Sequence, residues 1–349
     1  MIDVIIPAYN SHTTILRTLS SIAMQLNKEE LVVTIVNDGG KDYQDIINIF
    51  KSILNIKEIK YETNRGPGYA RQYGIDNTSA EYIVFIDADD TFLGAGALEL
   101  MTLILKDSEA EFLISPFIQY GTSSGAQEKK EANFTWVFGH LYKRKFLVEN
   151  NIRFTSTRSN EDVGFNLACS LTARNQKGDA GIVVLNVPTY EWHYNPNSIT
   201  LKKDSAYFKG TSIPGYIYNT YMAYETVTKK INIPIRDIAY DILQSAFGIY
   251  TYYNLALISN IDLRILEVIE NLSRQFYCYY YKEIIKYISE EERNYIFKRH
   301  IQDLNSPVLE NELKIEFNDF VKSMYSKPSE ENNYEQIEKE IQTIAENSI

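Results

Sequence analysis

The chain has 349 residues, 44% of them hydrophobic and 23% charged, which excludes a disordered protein and leaves room for more than one domain. Its formal net charge of -11 gives no general attraction to nucleic acid phosphates. Two distant cysteines, no long apolar run and no signal-peptide pattern predict a cytoplasmic protein without a disulfide framework or a transmembrane segment.

Short β-branched runs alternate with amphipathic segments over the first 115 residues. Helices are predicted at about residues 13–25 and 43–53, and a third is opened by the loop Asn64–Gly68 and runs through Arg71 to about Ile75. Strands are predicted at Val4–Ile6, Leu31–Val36, Ile56–Tyr61 and Tyr82–Ile86. This alternation predicts an α/β fold, a mostly parallel sheet flanked by helices. Ligands of such sheets bind beyond the carboxyl ends of the strands, where this sequence has its polar motifs.

From about residue 205 onward, helical periodicity and tyrosines dominate. One apolar stripe begins at Ile235, and a second consists of Leu263, Leu266, Ile269 and Leu272. These patterns predict an α-helical carboxyl-terminal domain, residues 205–349. Its helices could support a homo-oligomer.

An acidic motif follows the fourth predicted strand, where Asp87, Asp89 and Asp90 place three carboxylates within four residues. Carboxylates this close repel one another, and burying them is costly unless a cation compensates. A hard divalent ion, Mn²⁺ or Mg²⁺, is the natural partner. The alternative interpretation is an ordinary turn, because aspartates are common where strands end and helices begin.

Four motifs in order resemble those of family-2, GT-A-fold inverting glycosyltransferases: Val4–Asn10, Ile35–Gly40, Asn64–Gln72 and Asp87–Asp89. Asn160–Phe165 is similar to the family's later Glu-Asp motif, and Tyr190–His193 with Asn197–Thr200 to the segment closing the catalytic domain. The resemblance implies a Rossmann-like GT-A catalytic domain at residues 1–204, with a donor half at about 1–115 and an acceptor half at about 116–204. It also implies a hexosyl- or N-acetylhexosaminyl-transferase that uses a nucleotide-sugar, most often a UDP-sugar.

Carried over residue by residue, the resemblance implies donor binding by Pro7, Ala8, Tyr9, Asn10, Asp38, Gly66, Arg71, Asp87 and Ala88. Asp38 is expected to hydrogen-bond the nucleobase. Arg71 is expected to face the diphosphate or the acidic motif, unless it is an ordinary surface arginine. The resemblance implies that Asp89 binds the metal; His193 is a second candidate ligand, or else a structural imidazole.

The attacking hydroxyl must lose a proton as it bonds to the anomeric carbon, and a nearby carboxylate can take that proton. Asp162 is the predicted base and Glu161 the alternative, although the pair could instead cap the helix that the following apolar run predicts. One base without a covalent intermediate predicts direct displacement with inversion, as the resemblance also implies.

The acceptor stays open at this stage: a glycan, a surface polymer, a lipid, a protein or a modified nucleobase, the last being the only expected contact with nucleic acid. Two other functions fit parts of the same pattern. A catalytically silent nucleotide-sugar-binding module could recruit partners through the helical tail, but the intact acidic motif argues against it. A nucleotidyltransferase usually has a glycine-rich loop after its first strand, where this chain has Ala8–Ser11.

Overall fold

The computed structural model describes residues 1–121, 127–196, 206–259, 261–303, 314–327 and 334–346, which fall into two compact units. The first unit comprises Met1–Ser156 and Phe165–Leu201, and the second comprises Thr157–Gly164 and Lys202–Ile349. The predicted boundary near residue 204 and the motif Asn197–Thr200 lie outside the described residues.

The first unit contains two sheets. Its strands in chain order are β1 (Ile2–Ala8), β2 (Leu31–Asp38), β3 (Asn55–Tyr61), β4 (Tyr82–Phe85), β5 (Thr91–Phe92), β6 (Phe112–Ile114), β7 (Phe117–Tyr120), β8 (Gln127–Lys130), β9 (His140–Lys143), β10 (Ile182–Val184) and β11 (Tyr190–Trp192). The larger sheet has seven strands in the order β10-β6-β9-β4-β1-β2-β3. The smaller has four in the order β5-β11-β7-β8.

The larger sheet is mostly parallel, as predicted. β1 lies between β2 and β4 and is parallel to both, whereas β9 runs antiparallel between β4 and β6. β1 and β4 are buried along nearly their whole length, which explains why they are apolar runs rather than alternating sequences. The parallel register brings the carboxyl ends of β1, β2 and β4 to one edge.

The helices of this unit alternate along the sequence with its strands, as predicted. They are α1 (Ile15–Ala23), α2 (Gln44–Phe50), α3 (Pro67–Asp76), α4 (Ala97–Asp107), α5 (Arg144–Glu149) and α6 (Glu161–Lys177), whose first turn belongs to the second unit. α1 buries Ile15, Leu19 and Ile22 in the hydrophobic core of this unit, because these residues share one face at helical spacing. α1 begins two residues later than predicted.

The second unit is helical. It contains α7 (Ala206–Glu225), α8 (Ala239–Ile258), α9 (Leu263–Phe276), α10 (Lys282–Ile284), α11 (Glu290–Asp303), α12 (Phe317–Tyr325) and α13 (Tyr334–Glu346). The predicted second stripe is wrong at Leu263, which is 80% exposed because it is the first residue of α9, just after the cap Asp262. Among the described residues, none of the helices combines the length and apolar character needed to cross a bilayer. The α/β fold class with a helical carboxyl-terminal module is confirmed.

Candidate active site

The Asp38 side chain holds the loop that precedes α3 at the carboxyl end of β2. This side chain is 4% exposed, and its two oxygens accept the backbone N–H groups of Arg65 at 2.6 Å and Gly66 at 2.9 Å. Gly66, with a φ of 88°, immediately precedes α3. Asp38 therefore fixes where α3 begins, and its hydrogen bond to a nucleobase stays a prediction.

β1 ends beside Asp38. Pro7 and Ala8 pair with the last residues of β2 before Asp38, and the next residues, Tyr9 and Asn10, leave the sheet. Tyr9 is 52% exposed and Asn10 has a φ of 51°, so the chain turns sharply where the predicted nucleobase contacts begin. These contacts also stay predictions.

The side chain of Asn37, next to Asp38 in β2, is fixed by hydrogen bonds to its neighbours. Its amide Nδ2 donates to Glu58 Oε1 at 2.7 Å and to the Lys41 carbonyl at 3.0 Å. An acidic residue here would repel Glu58 instead of donating to it.

Arg71 on α3 is not a surface arginine, which removes one of the two interpretations of this residue. Its side chain is buried, and Nη2 donates to Asp87 Oδ1 at 2.8 Å. A buried guanidinium is always charged, so it offsets part of the repulsion within the acidic motif.

Tyr190 locks the acidic turn that follows β4. Its fully buried hydroxyl donates to Asp90 Oδ2 at 2.7 Å and accepts the Asp87 backbone N–H at 3.2 Å. The other Asp90 oxygen accepts the His193 backbone N–H at 2.7 Å. Both Asp90 oxygens therefore have protein donors, which makes Asp90 the structural member of the three aspartates.

Asp89 has a different environment. Asn195 donates to its Oδ2 at 2.7 Å, and the Arg17 guanidinium donates to its backbone carbonyl. Burial first, and then the charge of Asp87, raises the pKa of Asp89; burial and both neighbouring aspartates raise the pKa of Asp90 well above its ordinary value. Ala88, between Asp87 and Asp89 in sequence, is also buried. The carboxylates of this turn are therefore costly to ionise even with Arg71 and Arg17 beside them, and a divalent cation would offset part of that cost.

His193 lies close to this turn through its bond with Asp90. Its ring stacks on Tyr120 with centroids 4.8 Å apart, and Nε2 is 2.8 Å from Thr91 Oγ1. Burial, and then the charge of Arg17, lowers its pKa, so the imidazole is neutral near pH 7. A neutral imidazole can be a metal ligand.

The side chains beside the acidic turn can be compared with the ligands that Mn²⁺ and Mg²⁺ need. Among the residues that the structure describes, no three or more His, Cys, Asp or Glu side chains form a cluster that could hold a metal. Mn²⁺ and Mg²⁺ sites that use substrate phosphates need only one or two protein carboxylates. Asp89 and His193 fit such an ion; their role as its ligands stays a prediction.

Glu161 and Asp162 begin α6 and belong to the second unit. The preceding Asn160, with a φ of 58°, donates its amide to the Ser212 carbonyl at 2.7 Å on α7. Asn219, two turns further along α7, donates to Thr157 Oγ1 at 2.8 Å. We call residues 157–164 the acidic segment; α7 holds it at both ends.

Two glycines let the acidic segment approach α7 this closely. A Cβ on Gly164 would lie 2.6 Å from the Asn219 carbonyl oxygen, and a Cβ on Gly215 would lie 2.5 Å from the Ser159 carbonyl oxygen. Both distances are far below van der Waals contact. The predicted base Asp162 thus lies on a segment that the helical unit fixes. Partial burial first, and then the charge of Asp162, raises the pKa of Tyr252.

Several residues around the acidic turn were not predicted from the sequence. They share a position on the small sheet or beside the turn: Arg17, Thr91, Tyr120, Tyr190, Glu191 and Asn195. Tyr190 and Glu191 stand in a motif that the sequence analysis noted without giving them roles. The available signal was Glu191, a polar residue between the aromatic residues Tyr190 and Trp192 on a three-residue strand.

An acidic turn at the carboxyl edge of a parallel sheet, paired with a buried arginine, is the arrangement that the resemblance to GT-A-fold glycosyltransferases implies. Residues 3–161 match the family model described as "Glycosyl transferase family 2". This match confirms the family resemblance seen in the sequence.

The chain is similar to several bacterial enzymes. It is 24% identical over 280 residues to the poly(ribitol-phosphate) β-glucosyltransferase of Bacillus spizizenii, covering 75% of this chain and 42% of that protein. It is 37% identical over 91 residues to the poly(ribitol-phosphate) β-N-acetylglucosaminyltransferase TarS of Staphylococcus aureus, covering 25% of this chain and 16% of TarS. In both comparisons the chain spans less than half of the relative's length.

Among solved structures, residues 1–349 of S. aureus TarS in complex with UDP-GlcNAc share the fold. The TM-score is 0.59 at 16% identity, covering 99% of this chain and 92% of that one. At this identity, the likeness shows the fold alone.

Proposed function

We propose that this chain transfers a hexosyl or N-acetylhexosaminyl group from a UDP-sugar to a hydroxyl group of a polyol-phosphate polymer. The observation that carries the proposal is the acidic turn Asp87–Asp90, locked by Tyr190 and paired with Arg71 in a family-2 domain. The relatives named for poly(ribitol-phosphate) acceptors support the acceptor class, and the TarS complex with UDP-GlcNAc supports the donor.

A divalent cation, Mn²⁺ or Mg²⁺, would be held by Asp89 and His193 together with the donor phosphates. When bound, it would supply Lewis-acid stabilisation of the negative charge on the departing nucleoside diphosphate. Arg71 holds Asp87 through their ion pair, and Asp90 keeps the turn in shape through Tyr190 and His193.

The reaction that fits these residues is a single displacement. Asp162 takes the proton of the acceptor hydroxyl, and the acceptor oxygen forms its bond to the anomeric carbon. The bond from that carbon to the phosphate oxygen breaks at the same time, and its electron pair leaves with the nucleoside diphosphate. Attack from the opposite face inverts the anomeric configuration.

Cytoplasmic location and association through the helical unit belong to the same proposal. Cys169 and Cys278 are both free thiols, which supports a reducing compartment. A modified nucleobase as acceptor has no support from the relatives and is not proposed.

The test needs no acceptor. The purified chain is incubated with Mn²⁺ and a panel of nucleotide-sugars, and release of nucleoside diphosphate is followed. Asp89→Ala is compared with Asp107→Ala, which removes an exposed carboxylate at the end of α4. We expect release from one UDP-sugar that depends on metal, is lost in Asp89→Ala and persists in Asp107→Ala.

Two results would contradict the proposal. Metal-dependent binding of a UDP-sugar without any turnover, even when poly(ribitol phosphate) is added, would favour the catalytically silent binding module. Turnover that is equal with and without metal would remove the proposed role of Asp89.

A further inference from the structure

Four side chains on the small sheet form a continuous hydrogen-bonded chain. The Tyr120 hydroxyl donates to Glu191 Oε1 at 2.6 Å, and the Thr91 hydroxyl donates to Glu191 Oε2 at 2.6 Å. Thr91 Oγ1 is also 2.8 Å from His193 Nε2. The sheet register makes this possible, because Glu191 on β11 pairs directly with Thr91 on β5.

The donors and acceptors of these hydrogen bonds determine which imidazole nitrogen of His193 carries the proton. An ionised carboxylate only accepts, so the single hydroxyl proton of Thr91 is committed to Glu191. Thr91 must then accept from His193, which requires that Nε2 carries the proton. In a neutral imidazole the other nitrogen, Nδ1, is left with its lone pair. Nδ1 has no hydrogen-bond partner among the described residues.

We propose that Thr91 and Glu191 are positioning residues that hold His193 as its Nε2–H tautomer, so that Nδ1 is the nitrogen offered to a divalent cation. Tyr120 stacks on His193 and fixes the plane of the imidazole, because the two rings are only 5° from parallel. Histidine ligands commonly donate their second N–H to a carboxylate or carbonyl, which sets their orientation. Here Thr91 stands between the histidine and the carboxylate. The cation half of this proposal rests on the proposed function, whereas the tautomer half does not.

The tautomer is measured by nitrogen-15 NMR on the metal-free protein at pH 8, where the imidazole is neutral. The chain has four histidines, and His193→Gln identifies the His193 signals by their loss. We expect a protonated Nε2 and an unprotonated Nδ1 in the wild type. Thr91→Val keeps the shape of the side chain but removes the acceptor, and it should give a mixture of both tautomers. Thr91→Ser keeps a hydroxyl and should retain the wild-type pattern.

A protonated Nδ1 in the wild type would overturn the proposal, as would unchanged His193 signals in Thr91→Val. Folding of each variant is checked by the dispersion of its remaining signals. This experiment requires neither donor nor turnover, so its failure is separate from failure of the proposed function.

The cation half is tested by titrating Mn²⁺ into the protein with saturating UDP and following the free Mn²⁺ signal by electron paramagnetic resonance. Loss of such an orienting contact typically weakens metal binding by about 10- to 100-fold. We expect a loss of about tenfold in Thr91→Val and about the wild-type affinity in Thr91→Ser. Unchanged Mn²⁺ affinity in a variant with altered tautomer would overturn the cation half.

Discussion

The Tyr190 hydroxyl joins two members of the acidic turn: it donates to the carboxylate of Asp90 and accepts the backbone N–H of Asp87. One buried oxygen atom therefore determines both the path of the turn and the orientation of one of its carboxylates. Tyr190 lies 100 residues from Asp90 and 103 residues from Asp87 in sequence, yet it contacts both, so the small sheet that carries Tyr190 is part of the site.

Tyr190→Phe should destabilise the protein, because it leaves a buried carboxylate oxygen and a backbone N–H without their partner. We expect a loss of about 1–3 kcal/mol in the free energy of unfolding, measured by denaturant titration. Tyr279→Phe is the control, since Tyr279 is 55% exposed, and it should change stability by less than about 0.5 kcal/mol. Equal stability of the two variants would show that the bond to Asp90 contributes nothing.

Asp89→Asn should stabilise the metal-free protein at pH 7 to 8. Burial and Asp87 raise the pKa of Asp89 in the folded state, so the folded protein binds this proton more tightly than the unfolded chain. The favourable contribution is complete below the ordinary aspartate pKa of about 3.9 and is lost as pH rises through the folded-state pKa. The advantage of Asp89→Asn should therefore shrink as pH falls toward 4.

The measurement is the melting temperature in the presence of a chelator, with Asp107→Asn as the control. Adding Mn²⁺ and UDP should stabilise the wild type and leave Asp89→Asn unchanged. A variant less stable than the wild type at pH 8 without metal would contradict the electrostatic argument.

Asp162→Asn should lower the rate of sugar transfer to an acceptor by at least about 100-fold, the usual minimum for loss of a general base. Donor binding, followed by thermal stabilisation with UDP-sugar and Mn²⁺, should persist. Glu161→Gln is the matched comparison and should lose much less activity. If Glu161→Gln loses more, the base is Glu161; if neither loses activity, the pair only begins the helix.

Gly164→Ala should destabilise the second unit even though alanine favours helices by about 1 kcal/mol over glycine. The added Cβ would meet the Asn219 carbonyl oxygen at 2.6 Å, and backbone on both sides leaves little room to move. At Gly96, the nearest heavy atom to an added Cβ is 3.9 Å away, so Gly96→Ala serves as the control. A melting temperature of Gly164→Ala at or above that of the wild type would refute the close contact.

Much of the fold could be predicted from the sequence because its signals are local. Val4–Ile6 and Tyr82–Ile86 are β-branched or apolar runs short enough to be strands, and the α1 stripe has helical spacing. The parallel arrangement then places the polar residues at the strand ends along one edge of the sheet. In this way the acidic turn and Asp38 were identified without any structure.

The remaining features depend on contacts between distant residues. The insertion of β9 between β4 and β6 is a choice among possible strand partners, which periodicity does not determine. The burial of Arg71 could not be predicted, because an arginine on a short helix usually faces solvent. The chain from Tyr120 to His193 requires three strands in register, and none of its members is unusual in its local sequence.

The path of the polypeptide has a consequence for exchanging parts between relatives. The acidic segment belongs to the helical unit, although the sequence on both sides of it belongs to the sheet unit. A chimera joined only near residue 204 would combine one parent's Asn160 and Gly164 with another parent's Ser212 and Asn219. Functional recombinants should therefore inherit residues 157–164 and α7 from the same parent, so these two stretches are expected to evolve as one block.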